Sequence, residues 1–334
     1  MRKAKKILND PKQVVPEMIE GLVEAYHGQV RKLDGYNAIV VNQIADGKVA
    51  LLIGGGSGHE PLFHGLLGEN AADGAACGNV FAAPTPDTIL ETTRAIHRGA
   101  GVIYLYGNYS GDILNFDMAA ELAADEGIEV RTVRIWDDVA SAPLERMTDR
   151  RGIAGDLFAI KIAGGVTAVS KDLEECFRVT SKARDNTRSM AIAVSPGSIP
   201  ETGEFTFELP DDEVEIGMGA HGEPGVSREK LVTSDELVAK MMDLLLVDLP
   251  FQSGDEVALC INNLGSTTMM EMLIANRQIN RILRDRGIRV HDSAIGAYIT
   301  TQEMGGFSIT LMKLDDELKR YYDMPIKSFG YTKC

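Results

Sequence analysis

Three short stretches hold residue types that could do chemistry. The first is GMGAHGEPG, residues 217–225, where His221 stands among four glycines and a proline. Such a run buries almost no apolar surface, so a core does not require it. Glycines on each side leave the ring open to a small ligand, and a neutral imidazole is a nucleophile as well as a base. A lone histidine is usually a surface or core residue. The flanking glycines, the nearby Glu223 and the echo of GHEP at 58–61 in HGEP at 221–224 weaken that reading here.

The second stretch is IGGGSGHEP, residues 53–61. Its glycines let the chain turn sharply and leave main-chain N–H groups free for a phosphate or a polar oxygen. A tight strand-to-helix turn is the plainer account of the glycines, but a turn needs neither His59 nor Glu60. The spacing matches neither G-x-G-x-x-G nor a Walker A loop. His59 and His64 are five residues apart, unlike the four-residue spacing of H-E-x-x-H, so no metal site is expected. His64 is expected in the core.

The third stretch is YLYGNYSGDILNF, residues 104–116, with Asp112 near the start of a helix. A carboxylate there is commonly a partner of the helix dipole. It could equally serve as a base towards a substrate hydroxyl. Arg150 and Arg151, beside Asp149, read equally as a solvated pair or a recognition site.

The elements that must position these loops alternate in the first half. Apolar runs at 48–53, 101–106 and 128–133 read as strands, and 14–26, 87–97 and 112–126 as helices. Strand, glycine turn and helix in repetition predict a largely parallel sheet flanked by helices. Loops at the C-terminal ends of such strands converge where α/β sheets bind ligands. Residues 154–183 read as one long helix or two. In the second half, 204–209 and 213–216 around Pro210-Asp211-Asp212 predict a hairpin. Strands follow at 189–195, 256–262 and 306–313, with helices at 234–247 and 266–285. The expected fold is therefore two α/β domains, 1–184 with the two glycine-rich loops and 185–334 with a mixed sheet and His221. Met241, Met242, Met269, Met270 and Met272 are expected as core filler, and Trp136 as a packing residue at a strand end.

Composition narrows the function classes. The chain has 334 residues and a net charge of −15, with 34 Lys plus Arg against 49 Asp plus Glu. That balance disfavours nucleic acid, whose binding needs clustered cations. The basic start, Met1 to Lys6, is followed by Asn9, Asp10, Pro11 and Lys12 rather than an apolar segment, so neither a secretory signal nor a membrane span is expected. Cys77, Cys176, Cys260 and Cys334 form no C-x-x-C pair and read as reduced thiols of a cytoplasmic protein.

Taken together, GGGSGHEP (54–61), GNYSGDILNF (107–116) and GAHGEPG (219–225) resemble the dihydroxyacetone kinase substrate-binding subunit of the phosphotransferase-system-linked type. So do AAPTPDTILE (82–91), RRGIAGD (150–156), NNLGST (262–267) and GFSITLMKLDDE (306–317), in the family's order along nearly the whole chain. The resemblance implies that His221 attacks the carbonyl of a short ketose and forms a hemiaminal. A carbonyl, unlike the hydroxyls shared with glycerol, accepts a nitrogen nucleophile, and covalent anchoring fixes the hydroxyl to be phosphorylated. It implies that Asp112 takes that hydroxyl's proton, that His59 bonds the substrate and shares base work, and that Gly56, Ser57, Gly58 and Gly107 lie in the substrate site. No cofactor is expected on this chain. ADP/ATP with Mg sits on a separate helical nucleotide-binding kinase subunit (the DhaL type), recharged by a phosphotransferase-system donor. A cytoplasmic homodimer is implied. Many members carry a lysine where Gly107 stands, which opens three expectations: another cation such as Arg150 or Arg151, a pocket for a longer ketose, or a non-catalytic ketose-sensing coactivator of a transcriptional regulator.

Overall fold

The computed structural model describes residues 3–334. Two six-stranded sheets and one three-stranded sheet carry the chain. The first sheet is built from β1 (Val30–Lys32), β2 (Ala38–Val41), β3 (Ala50–Ser57), β5 (Gly74–Val80), β6 (Val102–Gly107) and β7 (Val130–Ile135), in the order β1-β2-β5-β3-β6-β7. The β5, β3, β6 and β7 pairings are parallel, and β1 and β2 add an antiparallel edge. Every residue of β3 is buried, as expected of a strand covered on both faces. Helices α1 (Val14–Ala25), α2 (Pro86–Ile96), α3 (Ser110–Asp125), α4 (Gly155–Val169) and α5 (Leu173–Asp185) belong to this half. The 154–183 segment is two helices. They part at Ser170 to Asp172, where the Asp172 carboxylate caps the first amides of α5.

The second sheet runs β10 (Ser227–Lys230), β9 (Glu213–Ile216), β8 (Thr187–Ser195), β13 (Gly305–Leu314), β11 (Glu256–Asn263), β12 (Arg289–Gly296). Only β11 and β12 pair in parallel, so this sheet is mixed. Helices α6 (Ser234–Asp248) and α7 (Met269–Asp285) each begin with a capping box, Thr233 with Glu236 and Thr268 with Glu271. The tail then returns to the first half. Helix α8 (Asp316–Tyr322) contacts α4, and β14 (Ile326–Ser328) joins β4 (Gly68–Glu69) and β15 (Thr332–Lys333) in the small sheet. The largest core cluster accordingly mixes Leu51, Phe158 and Ile162 with Cys260, Met312 and Tyr322. No helix of the described residues is long and apolar enough to cross a membrane.

Three local expectations are corrected. The glycines of 54–56 are not a turn: β3 continues through them to Ser57. They are there for close approach, since a β-carbon on Gly55 would stand 2.4 Å from the Phe63 ring and one on Gly54 2.5 Å from the Ala76 carbonyl. The hairpin is not 204–209 with 213–216. It is β9 with β10, and His221 sits in its connection. Residues 204–209 form only an isolated bridge, Ser198 to Phe205, while Phe207 packs against the cluster of Met218 and Ala220 under the His221 loop. Alternation there records side chains laid on that cluster, not a ladder. Finally, Met241, Met242 and Met272 are core, but Met269 and Met270 are exposed, because they open α7 on its outer face.

Candidate active site

A small pocket, open at its mouth, lies where the C-terminal ends of β3 and β6 meet the β9–β10 connection. His59, Asp112 and His221 all line it, as do Gly56 and Gly107. The three chemistry-bearing stretches, far apart in the chain, therefore converge.

His221 is held from both sides of its own backbone. The Glu223 Oε2 accepts from the His221 main-chain N–H at 2.8 Å, and Oε1 lies 2.9 Å from Nδ1. A neutral ring must then donate from Nδ1, which leaves Nε2 with its lone pair. Burial alone would raise the Glu223 carboxyl, but its hydrogen bond and charge contact with His221 hold it down at about 2. The glycines make this geometry possible. A β-carbon on Gly219 would meet the Glu223 carboxylate at 2.2 Å, and Gly222 adopts φ +86°. The ring is boxed edge-on by His59, Phe81 and Tyr109, with centroids 4.9, 5.4 and 4.7 Å away.

His59 is buried and points Nδ1 at the Thr300 carbonyl, 2.8 Å away. Burial, together with the charge of His221, lowers its pKa to about 4, so it is neutral and keeps an Nε2 lone pair at ordinary pH. Residues 298–302 clamp both histidine loops. The Thr300 N–H donates to the His59 carbonyl at 3.1 Å, and the Thr301 hydroxyl to the Ala220 carbonyl at 2.6 Å. Asn262, fully buried, fixes this clamp: its Oδ1 accepts from the Tyr298 and Ile299 amides and its Nδ2 donates to the Ile299 carbonyl.

Asp112 occupies the first turn of α3 and is 8% exposed. Its Oδ1 has no hydrogen-bond partner. Burial pushes its pKa up to about 7, against the opposing pull of His221. A helix-dipole role does not account for an oxygen left unpaired inside a pocket. Asp156, in the first turn of α4, lines the same pocket and also has an unpartnered Oδ1.

The Dak1 domain family matches residues 20–330. This chain belongs to that family. It is 41% identical to the dihydroxyacetone-binding subunit DhaK of a PTS-dependent dihydroxyacetone kinase from Listeria innocua, over 96% of this chain and 97% of that one. It is 37% identical to a D-erythrulose kinase from Mycolicibacterium smegmatis, over 98% of this chain but only 56% of that longer protein. Among solved structures, the dihydroxyacetone kinase operon co-activator Dha-DhaQ superposes with a TM-score of 0.90 at 29% identity, covering 96% of this chain and 99% of that chain. The two-domain α/β architecture is thus that of the Dak1 family.

Other candidate residues fall outside the pocket wall of this Dak1 chain. Ser57 and Gly58 face a neighbouring groove. The Ser57 hydroxyl donates to the Gly78 carbonyl at 2.7 Å and the Gly58 amide to Glu60 at 2.8 Å. His64 is buried between Cys77, 3.2 Å from its Nδ1, and Glu60, and does not reach the pocket. Arg150 is buried on Asp248. Arg151 grips Asp138 and donates to the Gly217 carbonyl at 3.2 Å, so it braces the His221 loop from below. No Lys or Arg lines the pocket among the described residues. No cluster of three or more His, Cys, Asp or Glu poised for a metal occurs among them either. Reading residues singly overlooked Tyr109, Phe81, Asp156 and the 298–302 clamp. Glu223, two positions from His221, was the signal most within reach.

Proposed function

We propose that this chain is the ketose-binding subunit of a dihydroxyacetone-type kinase and holds its substrate as a hemiaminal on His221. One observation carries the reading: Glu223 engages Nδ1 of His221 at 2.9 Å, so Nε2 is the ring nitrogen left free, and the ring lines a pocket shared with His59 and Asp112. The Nε2 lone pair forms a bond to the ketose carbonyl carbon and the C=O π pair moves onto oxygen. That oxygen gains a proton while the Nδ1 proton is released through the Glu223 hydrogen bond, so the net proton count is unchanged. Asp112, titrating near 7, accepts the proton of the hydroxyl to be phosphorylated, and neutral His59 orients that hydroxyl.

The phosphoryl group comes from Mg-bound nucleotide on a separate helical subunit, recharged by a phosphotransferase-system donor. A homodimeric ketose-binding subunit is part of the same reading. Substrates are dihydroxyacetone or a four-carbon ketose, in keeping with the relatives' activities. The absence of a cation from the described pocket wall favours a second reading, a ketose-sensing coactivator of a transcriptional regulator. The test mixes the chain with ketose labelled at the carbonyl carbon, then adds a nucleotide-loaded partner subunit. The expected result is an NMR signal of a saturated carbon followed by phosphorylated ketose. A saturated carbon without phosphorylation selects the coactivator, and an unshifted carbonyl ends both readings.

A further inference from the structure

A ketose anchored at its carbonyl carbon has two arms. On the reading above, one arm ends on Asp112. The other arm needs a receiver, and the pocket contains one that the mechanism does not use. Asp156 is 3% exposed, lines the pocket, and leaves Oδ1 without a partner. Burying such a group without a hydrogen bond costs on the order of 1–3 kcal/mol.

Nothing in the fold needs that carboxyl. As an early residue of α4 it could have capped the helix, but Asp137 already does so. The Asp137 Oδ1 accepts from the Ile153 amide at 2.8 Å and Oδ2 from the Gly155 amide at 2.7 Å. Asp156 makes no ion pair either; its charged neighbours are Asp137 and Asp112, which together with burial raise its pKa well above the ordinary value. The neutral form favoured in this way can both donate and accept a hydrogen bond.

Gly107 stands beside it and contributes no side chain; a β-carbon built there would lie 3.7 Å from the Asp156 Oδ2 but only 3.2 Å from the Tyr109 ring, so the wall here is packed closely against that ring.

We propose that Asp156 is the specificity residue for the second arm of the ketose, receiving its hydroxyl. The substrate class is then short ketoses hydroxylated on both arms, and not ketones with one bare arm. The inference rests on the ketose-binding reading.

The experiment compares adduct formation on the full chain by hydroxyacetone and dihydroxyacetone. Wild type should favour dihydroxyacetone over hydroxyacetone by roughly tenfold or more, the worth of one buried hydrogen bond. Asp156→Ala should collapse the dihydroxyacetone-to-hydroxyacetone ratio towards one. It breaks no hydrogen bond, so it should fold with a Tm no lower than wild type. A ratio unchanged in Asp156→Ala overturns the proposal while leaving the His221 adduct standing. No adduct with any ketone removes the underlying reading, and this inference with it.

Discussion

Buried charge is treated in opposite ways at the pocket and at the junction of the two large sheets. At the junction, Arg150 is 1% exposed and each of its three guanidinium nitrogens has a partner. Its guanidinium grips both Asp248 oxygens at 2.8 and 2.5 Å and the Ala142 carbonyl at 2.7 Å, while Arg188 shares the same carboxylate. Asn262 likewise spends both ends of its amide on the 298–302 clamp. In the pocket, Asp112 and Asp156 are nearly as buried, yet each keeps an oxygen unpaired. A fold gains nothing from an unpaired buried oxygen and loses stability by it. Among these buried charged groups, the satisfied ones hold the molecule together, and the two unpaired carboxyls face the pocket where a ligand would bind. Substitutions on the two sides of this divide should separate activity from stability.

The largest effect belongs to His221→Ala. It removes the only nucleophile proposed for the adduct, so the ketose mass increment in intact-protein spectra should vanish with the fold intact. An increment that survives takes the covalent role from His221. Next comes Asp112→Asn, which should keep the adduct and cut turnover with the partner subunit by about 10²–10⁴-fold. The pH profile gives the same information from the other direction. A base must be ionised to act, and burial raises Asp112 to about 7, so turnover should fall as pH drops through neutrality. His59, lowered to about 4, stays neutral over that range and adds no limb. An acid limb near the ordinary carboxylate value would remove Asp112 as the base. Across the divide, Arg150→Ala should lose about 3 kcal/mol in denaturant unfolding, since it strands part of a buried carboxylate, while the remaining folded protein still forms the adduct. A loss of adduct with undiminished stability would erase the distinction between the two regions.

The same divide governs what the sequence revealed. Apolar runs disclosed β3, β6, β11 and β13, and helical spacing disclosed α1, α6 and α7, because burial on a defined face leaves a period in the chain. Strand β5, GAACGNV, left none: its glycines and alanines are set by how closely β3 and α2 press on it, which is a tertiary fact. His59, Asp112 and His221 were visible because glycine-rich surroundings are poor core and need another reason to exist. Asp156 was not, since a carboxylate opening a helix has an ordinary explanation until Asp137 is found already filling that role. The 298–302 clamp acts mainly through main-chain atoms, and main-chain geometry has no residue type to announce it.

The smallest effect is the sharpest test of the pocket, because it turns on a single proton. Glu223 presents two oxygens to two His221 donors, the main-chain N–H at 2.8 Å and Nδ1 at 2.9 Å. Glu223→Gln is nearly isosteric but has one oxygen and one NH₂. If the NH₂ faces the main-chain N–H, two donors oppose each other and the loop loosens. If it faces Nδ1, that nitrogen must become the acceptor, and the ring proton moves to Nε2, where it occupies the lone pair that attacks the ketose. Either outcome should slow adduct formation by roughly tenfold, a cost of about 1.4 kcal/mol. Nitrogen NMR of the His221 ring distinguishes them, since only the second transfers the proton to Nε2. Unchanged adduct formation in Glu223→Gln would mean that the tautomer is set elsewhere and that the glycine-lined loop holds His221 by shape alone.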